Sequence, residues 1–287
     1  IERESFKDFT KLTGQLIIPK SVTTIGESSF SGCSGFTGSL IIPDSVTTIG
    51  GSAFYKCSNF TKLKISNSLT KICHKTFAEC IGFKSKLIIP NSVTLIEAYS
   101  FFGCSQLKGN LDIPDSVRYI GKYAFFNCFS FSGSIKISKS LSSIEEYTFY
   151  GCSNIIGSLN IPDGIKNIEI NAFFNCSKLT GSLIFPKNML SIGESAFYNC
   201  HSFTGTLSIP KSISYIGKRA FYSCSDFSEL EFYDAPSSFF KIPNNQEKIS
   251  IIEEYTFYNC FGFQNSLVIP DSVNIIGSYS FFGCSGF

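Results

Sequence analysis

The sequence predicts a solenoid: a stack of short coils with parallel β-strands along one side and turn segments along the other. Three observations predict it. A pattern of about 24 residues recurs eleven times along the 287-residue chain. The apolar residues of successive copies fall into register as columns. Finally, seven or so apolar side chains per copy are too few for a core, so each coil has to bury them against its neighbours.

Cysteine marks the register, at positions 33, 57, 80, 104, 128, 152, 176, 200, 224, 260 and 284. The step is 24 residues except between Cys57 and Cys80, where it is 23, and between Cys224 and Cys260, where it is 36. A phenylalanine stands three residues before every one of these cysteines, from Phe30 to Phe281, and a large apolar residue three after, from Phe36 to Phe287. In residues 1–13, the tail of a further coil, Phe6, Phe9 and Leu12 take these places. The coils are therefore 14–37, 38–61, 62–84, 85–108, 109–132, 133–156, 157–180, 181–204, 205–228, 229–264 (carrying an insertion at 233–248) and 265–287. Residues 1–287 are expected to form a single repeat array, cut at both ends because no polar capping coil closes it.

Each coil opens with L-x-I-P, as in Leu40-Ile41-Ile42-Pro43. Apolar residues two apart share one face of a strand, and proline, lacking an N–H, ends it. About eleven short strands, roughly 4.8 Å apart, would then make one parallel sheet. A polar pair follows, then an aliphatic residue such as Val46, and three residues later an isoleucine in every coil, from Ile25 to Ile276. The A-F-x-x-C segment has apolar residues three apart, which suits a short 3₁₀-like turn. Glycines 14, 38, 109, 133, 157, 181 and 205 suit the tight corner back to the next strand. Little α-helix is expected.

Composition follows from the columns. The chain has 31 Phe, no Trp and 12 Cys, and only Cys73 lies outside the cysteine column. Lys and Arg number 24 against 22 Asp and Glu, with no basic stripe, so nucleic acid is not an expected partner. No apolar run reaches the roughly 18–20 residues of a membrane span, so this segment is not expected to insert in a bilayer. The cysteines read as small, buried, unreactive side chains rather than a disulfide framework, and their spacing lacks the close pairs of a zinc site. No cofactor or metal is expected. Two N-x-S/T sequons start at Asn59 and Asn175, the former expected to be better exposed.

Binding residues have to lie where the repeat leaves freedom. The middle residue of L-x-I points away from the core, and down the stack it reads Ile17, Ile41, Lys64, Ile88, Asp112, Lys136, Asn160, Ile184, Ser208, Glu231 and Val268. Two readings stay open. Isoleucine and valine favour strands in any case, or the exposed aliphatic residues form a docking strip for a protein. The insertion is a second candidate, with Phe239 and Phe240 as its large apolar residues. It also reads as a half-coil, since Phe240-Lys241-Ile242-Pro243 imitates L-x-I-P. Catalysis is not expected. Cys73-His74 is the single thiol–imidazole pair worth weighing, and adjacent strand residues point to opposite faces. His201 has no relay partner nearby in sequence.

The full pattern, L-x-I-P-x-S-V-x-x-I-G-x-x-A-F-x-x-C-S-x-F, resembles the BspA-type leucine-rich repeat. That family occurs in surface proteins of mucosal bacteria and of trichomonad-like protozoan parasites, and the G-S-L and C-S-x-F-T-G spellings are most similar to the protozoan versions. The resemblance covers the whole chain apart from residues 233–248. It implies a curved, right-handed leucine-rich-repeat solenoid, a non-catalytic ectodomain at the cell surface, and adhesion to a host-cell or extracellular-matrix protein. The alternative is an intracellular, cytoplasmic or purely structural scaffold. Oligomeric state is not legible.

Overall fold

The computed structural model describes residues 1–211, 213–233 and 249–287. The chain falls into two compact units. The first comprises Ile1–Leu141 with Tyr147–Ile155, the second Ser142–Glu146 with Ile156–Phe287. Among the described residues there is no helix, every strand pairing is parallel, and each unit is a β-solenoid.

Two rows of strands build each coil. The regular row is the isoleucine column. In the first unit Thr24–Ile25 pairs with Thr48–Ile49, and Lys71–Ile72, Leu95–Ile96 and Tyr119–Ile120 form a three-stranded sheet. In the second, Ser143–Ile144, Asn167–Ile168, Ser191–Ile192 and Tyr215–Ile216 form a four-stranded sheet, and Ile251–Ile252 pairs with Ile275–Ile276. Isoleucine faces isoleucine in every one of these pairings. Each of these strands is two residues long, too short to leave any alternation in the sequence.

The L-x-I segments, expected to be the strand row, pair in only some coils. The longest pairings are Phe36–Ile41 with Phe60–Lys64 and Thr206–Pro210 with Glu229–Tyr233. Both have a common cause in chain length. From cysteine to the strand leucine is seven residues in most coils, but six from Cys57 to Leu63 and from Cys224 to Leu230. Losing one residue, and with it the corner glycine, removes the slack, and the backbone runs extended. Where the glycine is present it often makes the corner: Gly14, Gly38, Gly109, Gly157 and Gly181 hold φ of 77–86°, a region open to glycine without steric cost.

The A-F-x-x-C segment departs from the expected 3₁₀ turn. Its backbone alternates instead, with left-handed φ two residues before and two after the phenylalanine, as at Ser28 (53°) and Gly32 (75°) around Phe30. Alternate N–H groups therefore go different ways. Ser29, Ser31 and Cys33 close turns onto Gly26, Ser28 and Phe30 carbonyls, while Ser28, Phe30 and Gly32 donate to Gly51, Ala53 and Tyr55 of the next coil at 2.7–2.9 Å. The left-handed places are held by Ser52, Tyr99, Tyr123 and Tyr147 as well as by asparagines. That costs about 1–2 kcal/mol at each non-glycine residue, offset by a ladder of bonds that leaves few buried donors unpaired.

Inside, the phenylalanines stack. Phe6, Phe30, Phe54, Phe77, Phe101, Phe125 and Phe149 follow one another at 5.1–5.9 Å between ring centres in the first unit. Phe173, Phe197, Phe221, Phe257 and Phe281 do so at 5.2–5.6 Å in the second. Beside them each cysteine has a specific role. Its Sγ donates to the carbonyl of the phenylalanine one coil back: Cys57 to Phe30, Cys104 to Phe77 and Cys200 to Phe173, at 3.0–3.1 Å. That carbonyl also accepts the N–H of its own coil's cysteine, as from Cys33 to Phe30. A small apolar residue with one weak donor fits a buried carbonyl that has a spare lone pair. The serine after proline does similar work, with Ser45, Ser92 and Ser116 Oγ donating to Val22, Leu69 and Val93 carbonyls at 2.6–2.8 Å.

Candidate functional site: the outward strand face

Because Leu40, Leu63, Leu87 and Leu111 are buried, the residues on either side of each leucine project outward. In the first unit Ile17 is 76 % exposed and Ile88 68 %, with Ile41, Lys64 and Lys136 also exposed and Asp112 half-buried. Ile41 lies directly opposite Lys64, and Asp112 opposite Lys136. In the second unit Asn160, Ile184, Glu231 and Val268 are exposed. Ser208 is a correction: it was expected on the open face and is only 6 % exposed. The residue is short and sits in register between Ile184 and Glu231, and its Oγ donates to the Glu231 carboxylate at 3.0 Å. Phe239 and Phe240 lie outside the described residues.

Charges on this face are held locally. Lys86 pairs with Asp112 at 3.0 Å and Lys136 with Asp115 at 3.4 Å. The Lys139 N–H donating to Asp115 holds its carboxyl below the usual carboxylate range, with Lys136 adding to the effect. Asn67 does the same to Asp44 through its backbone and side-chain N–H groups. Sequence reasoning missed Lys62 and Lys86, which stand two residues before the middle position and face out with it. Their signal was present, since each precedes a buried leucine (Leu63, Leu87).

A second ordered surface was also missed. In the first unit Tyr99, Tyr123 and Tyr147 stack at 4.7 and 4.5 Å, and beside them Phe102, Phe126 and Tyr150 at 4.9 and 4.7 Å. In the second, Phe174, Tyr198, Tyr222, Tyr258 and Phe282 stack at 4.6–5.1 Å. The rings cover one another's faces, so solvent meets their edges. Lys75 lies over Tyr99 at 5.4 Å and Arg219 over Tyr255 at 5.3 Å, cations on the electron-rich faces left at the ends of runs. Reading the sequence at its own period would have shown tyrosine at 99, 123 and 147.

The thiol–imidazole pair does not assemble. Cys73 is half-buried, and burial pushes its thiol up, the wrong direction for a nucleophile. His74 turns outward and packs edge-on against Tyr99 at 5.5 Å. The backbone N–H of His74 donates to Glu97, whose carboxyl is raised by partial burial but brought net below its usual range by Lys71 and this N–H. His201 is exposed and touches Ser202 at 3.3 Å. All twelve cysteines are free. Among the described residues no group of three or more acidic, His or Cys side chains is placed to hold a metal, and no helix is long and apolar enough to cross a membrane. Of the sequons, Asn59 is exposed and Asn175 half-buried.

The sequence and fold agree with known repeat proteins. A family model described as the BspA type leucine-rich repeat region matches residues 1–85, 82–180, 155–245 and 250–287. No curated protein is detectably similar to the chain. Among solved structures, a leucine-rich repeat protein from Bacteroides ovatus is 26% identical, with 96% of this chain and 73% of that one covered and a TM-score of 0.73. A leucine rich cell surface protein from Faecalibacterium prausnitzii is 21% identical over 96% of this chain and 85% of that one, with a TM-score of 0.57. Both are bacterial, so the protozoan flavour of the spelling gains no support from them. The chain belongs to the BspA-type leucine-rich repeat family.

Proposed function

We propose that this chain is a non-catalytic protein-binding array at the cell surface, an adhesin that contacts a host-cell or extracellular-matrix protein through its outward strand face. One observation carries the reading. The side chains of Ile17, Ile41 and Ile88 stand exposed on the outward strand face of the first unit. Exposed apolar area that is contiguous marks contact sites, where single scattered residues do not. Membership of a repeat family whose fold offers surfaces rather than clefts supports the same conclusion. A second reading, an intracellular or structural scaffold, draws on twelve cysteines of which none is in a disulfide, which suits a reducing compartment.

The test is a triple variant, I17K/I41K/I88K, in which all three substitutions are at exposed positions. Binding of the purified array to intact host cells is expected to fall at least tenfold while the thermal melt stays where it was. Unchanged binding with an intact fold refutes the strand-face reading. Antibody labelling of unpermeabilised cells separates the two locations: surface staining supports the adhesin, and staining only after permeabilisation supports the scaffold.

A further inference from the structure

We infer that the outward face around residues 62–88 of the first unit recognises an extended acidic polypeptide segment that carries aliphatic side chains. This inference rests on the strand-face reading and names the chemistry of its partner.

Five lysines gather there. Lys62 and Lys64 flank buried Leu63, so both face outward, and Lys86 precedes buried Leu87 on the next coil. Lys84 donates its N–H to Thr61 on the neighbouring coil, and Lys86 faces Lys108 across a parallel bridge. All five are exposed. Only Lys86 has a carboxylate within 4 Å, Asp112; among the described residues Lys62, Lys64, Lys84 and Lys108 have none. Asp44 senses Lys64 but spends its oxygens on Asn67. The whole chain carries a net charge of +2, so five exposed lysines on adjoining coils, one of them with a carboxylate within 4 Å, make a concentrated field.

Like charges on neighbouring strands oppose folding. Lys86 and Lys108 face each other here, and only Lys86 has a carboxylate beside it. An anionic partner would remove that repulsion. Ile41 and Ile88 narrow the class. Ile41 sits opposite Lys64, and Ile88 follows on the coil after it, at 45 % and 68 % exposure. A sulfated polysaccharide or a nucleic acid backbone answers lysines and gains nothing from aliphatic groups between them. A polypeptide alternating acidic and aliphatic residues answers both.

The experiment uses the whole array and a fluorescein-labelled octapeptide of alternating Glu and Leu, read by anisotropy at 50 mM NaCl. The comparison probes are an octapeptide of Glu alone and a heparin hexasaccharide. The alternating peptide is expected to bind tightest, to weaken at least tenfold by 300 mM NaCl, and to weaken at least tenfold in K62E/K64E and about threefold in Ile88→Ser. Ile184→Ser in the second unit is expected to leave it unchanged. Equal affinity for the Glu-only peptide, or tighter hexasaccharide binding indifferent to Ile88→Ser, overturns the inference and assigns the patch to polyanions in general. No binding, or binding indifferent to K62E/K64E, overturns it as well. The two readings fail separately. If I17K/I41K/I88K abolishes cell binding and K62E/K64E spares it, only the acidic partner is lost. If both variants bind cells normally, the strand face itself is wrong.

Discussion

Two coils of the second unit, 181–204 and 265–287, share the column residues of the repeat and have different surroundings. Phe197 is sandwiched between Phe173 at 5.2 Å and Phe221 at 5.6 Å, whereas Phe281 stacks on Phe257 alone. Ile192 is fully buried; Ile276, its counterpart, is 52 % exposed. Phe203 is buried and Phe287 exposed. Burial pushes the Cys200 thiol up to about 12 but Cys284 only to about 11. Residue type is constant, so the difference is made by the neighbour. A coil does not own its core; it lends one face to the coil before it and one to the coil after.

The largest effect should come from removing a sandwiched ring. In the 287-residue chain Phe197→Ala is expected to cost about 3–5 kcal/mol, and Phe281→Ala less than half as much, both measured by urea denaturation. Equal costs would mean that each coil buries its ring within itself, and the comparison would collapse.

A pH titration of stability sharpens the same contrast. The buried thiols have their folded pKa raised above the ordinary 9.0, by burial first of all, to about 12 at Cys152 and Cys200. As pH rises past 9 the unfolded chain gives up these protons while the folded chain keeps them. Stability is therefore complete below pH 9 and is lost as pH climbs toward 12. The denaturation midpoint is expected to drop between pH 8.5 and 10.5, and to drop less in Cys200→Ala, which removes one such thiol. A midpoint that ignores pH would mean that the thiols are open to water.

How much of this was legible depends on whether a feature lives within a coil or between coils. Phe54, Ile49 and Cys57 could be placed in the core from spacing alone, because a residue repeated at every turn has the same neighbours at every turn. The exposure of Ile17, Ile88 and Val268 followed from alternation along the L-x-I segment. Features that depend on the adjoining coil were not visible. The Thr48–Ile49 strand is defined by its partner, being too short to show a period. The left-handed backbone at Tyr99 is held by its bond to Lys122 of the next coil, since tyrosine itself disfavours it. Ser208 is covered by what flanks it, and the lysine cluster emerges only when residues 62, 86 and 108 are laid side by side. The bond from each cysteine to the preceding phenylalanine carbonyl belongs to the same class, and it gives the cysteine column a reason that burial alone did not.

The most direct measurement is mass-resolved labelling of all twelve cysteines in the native array with a small thiol reagent at pH 8. Mutual shielding predicts that Cys73 and Cys284, the two half-buried thiols, react ahead of the others, and that Cys57, Cys104 and Cys200 react only as fast as the protein opens. Prompt labelling of those three in the folded array would contradict it.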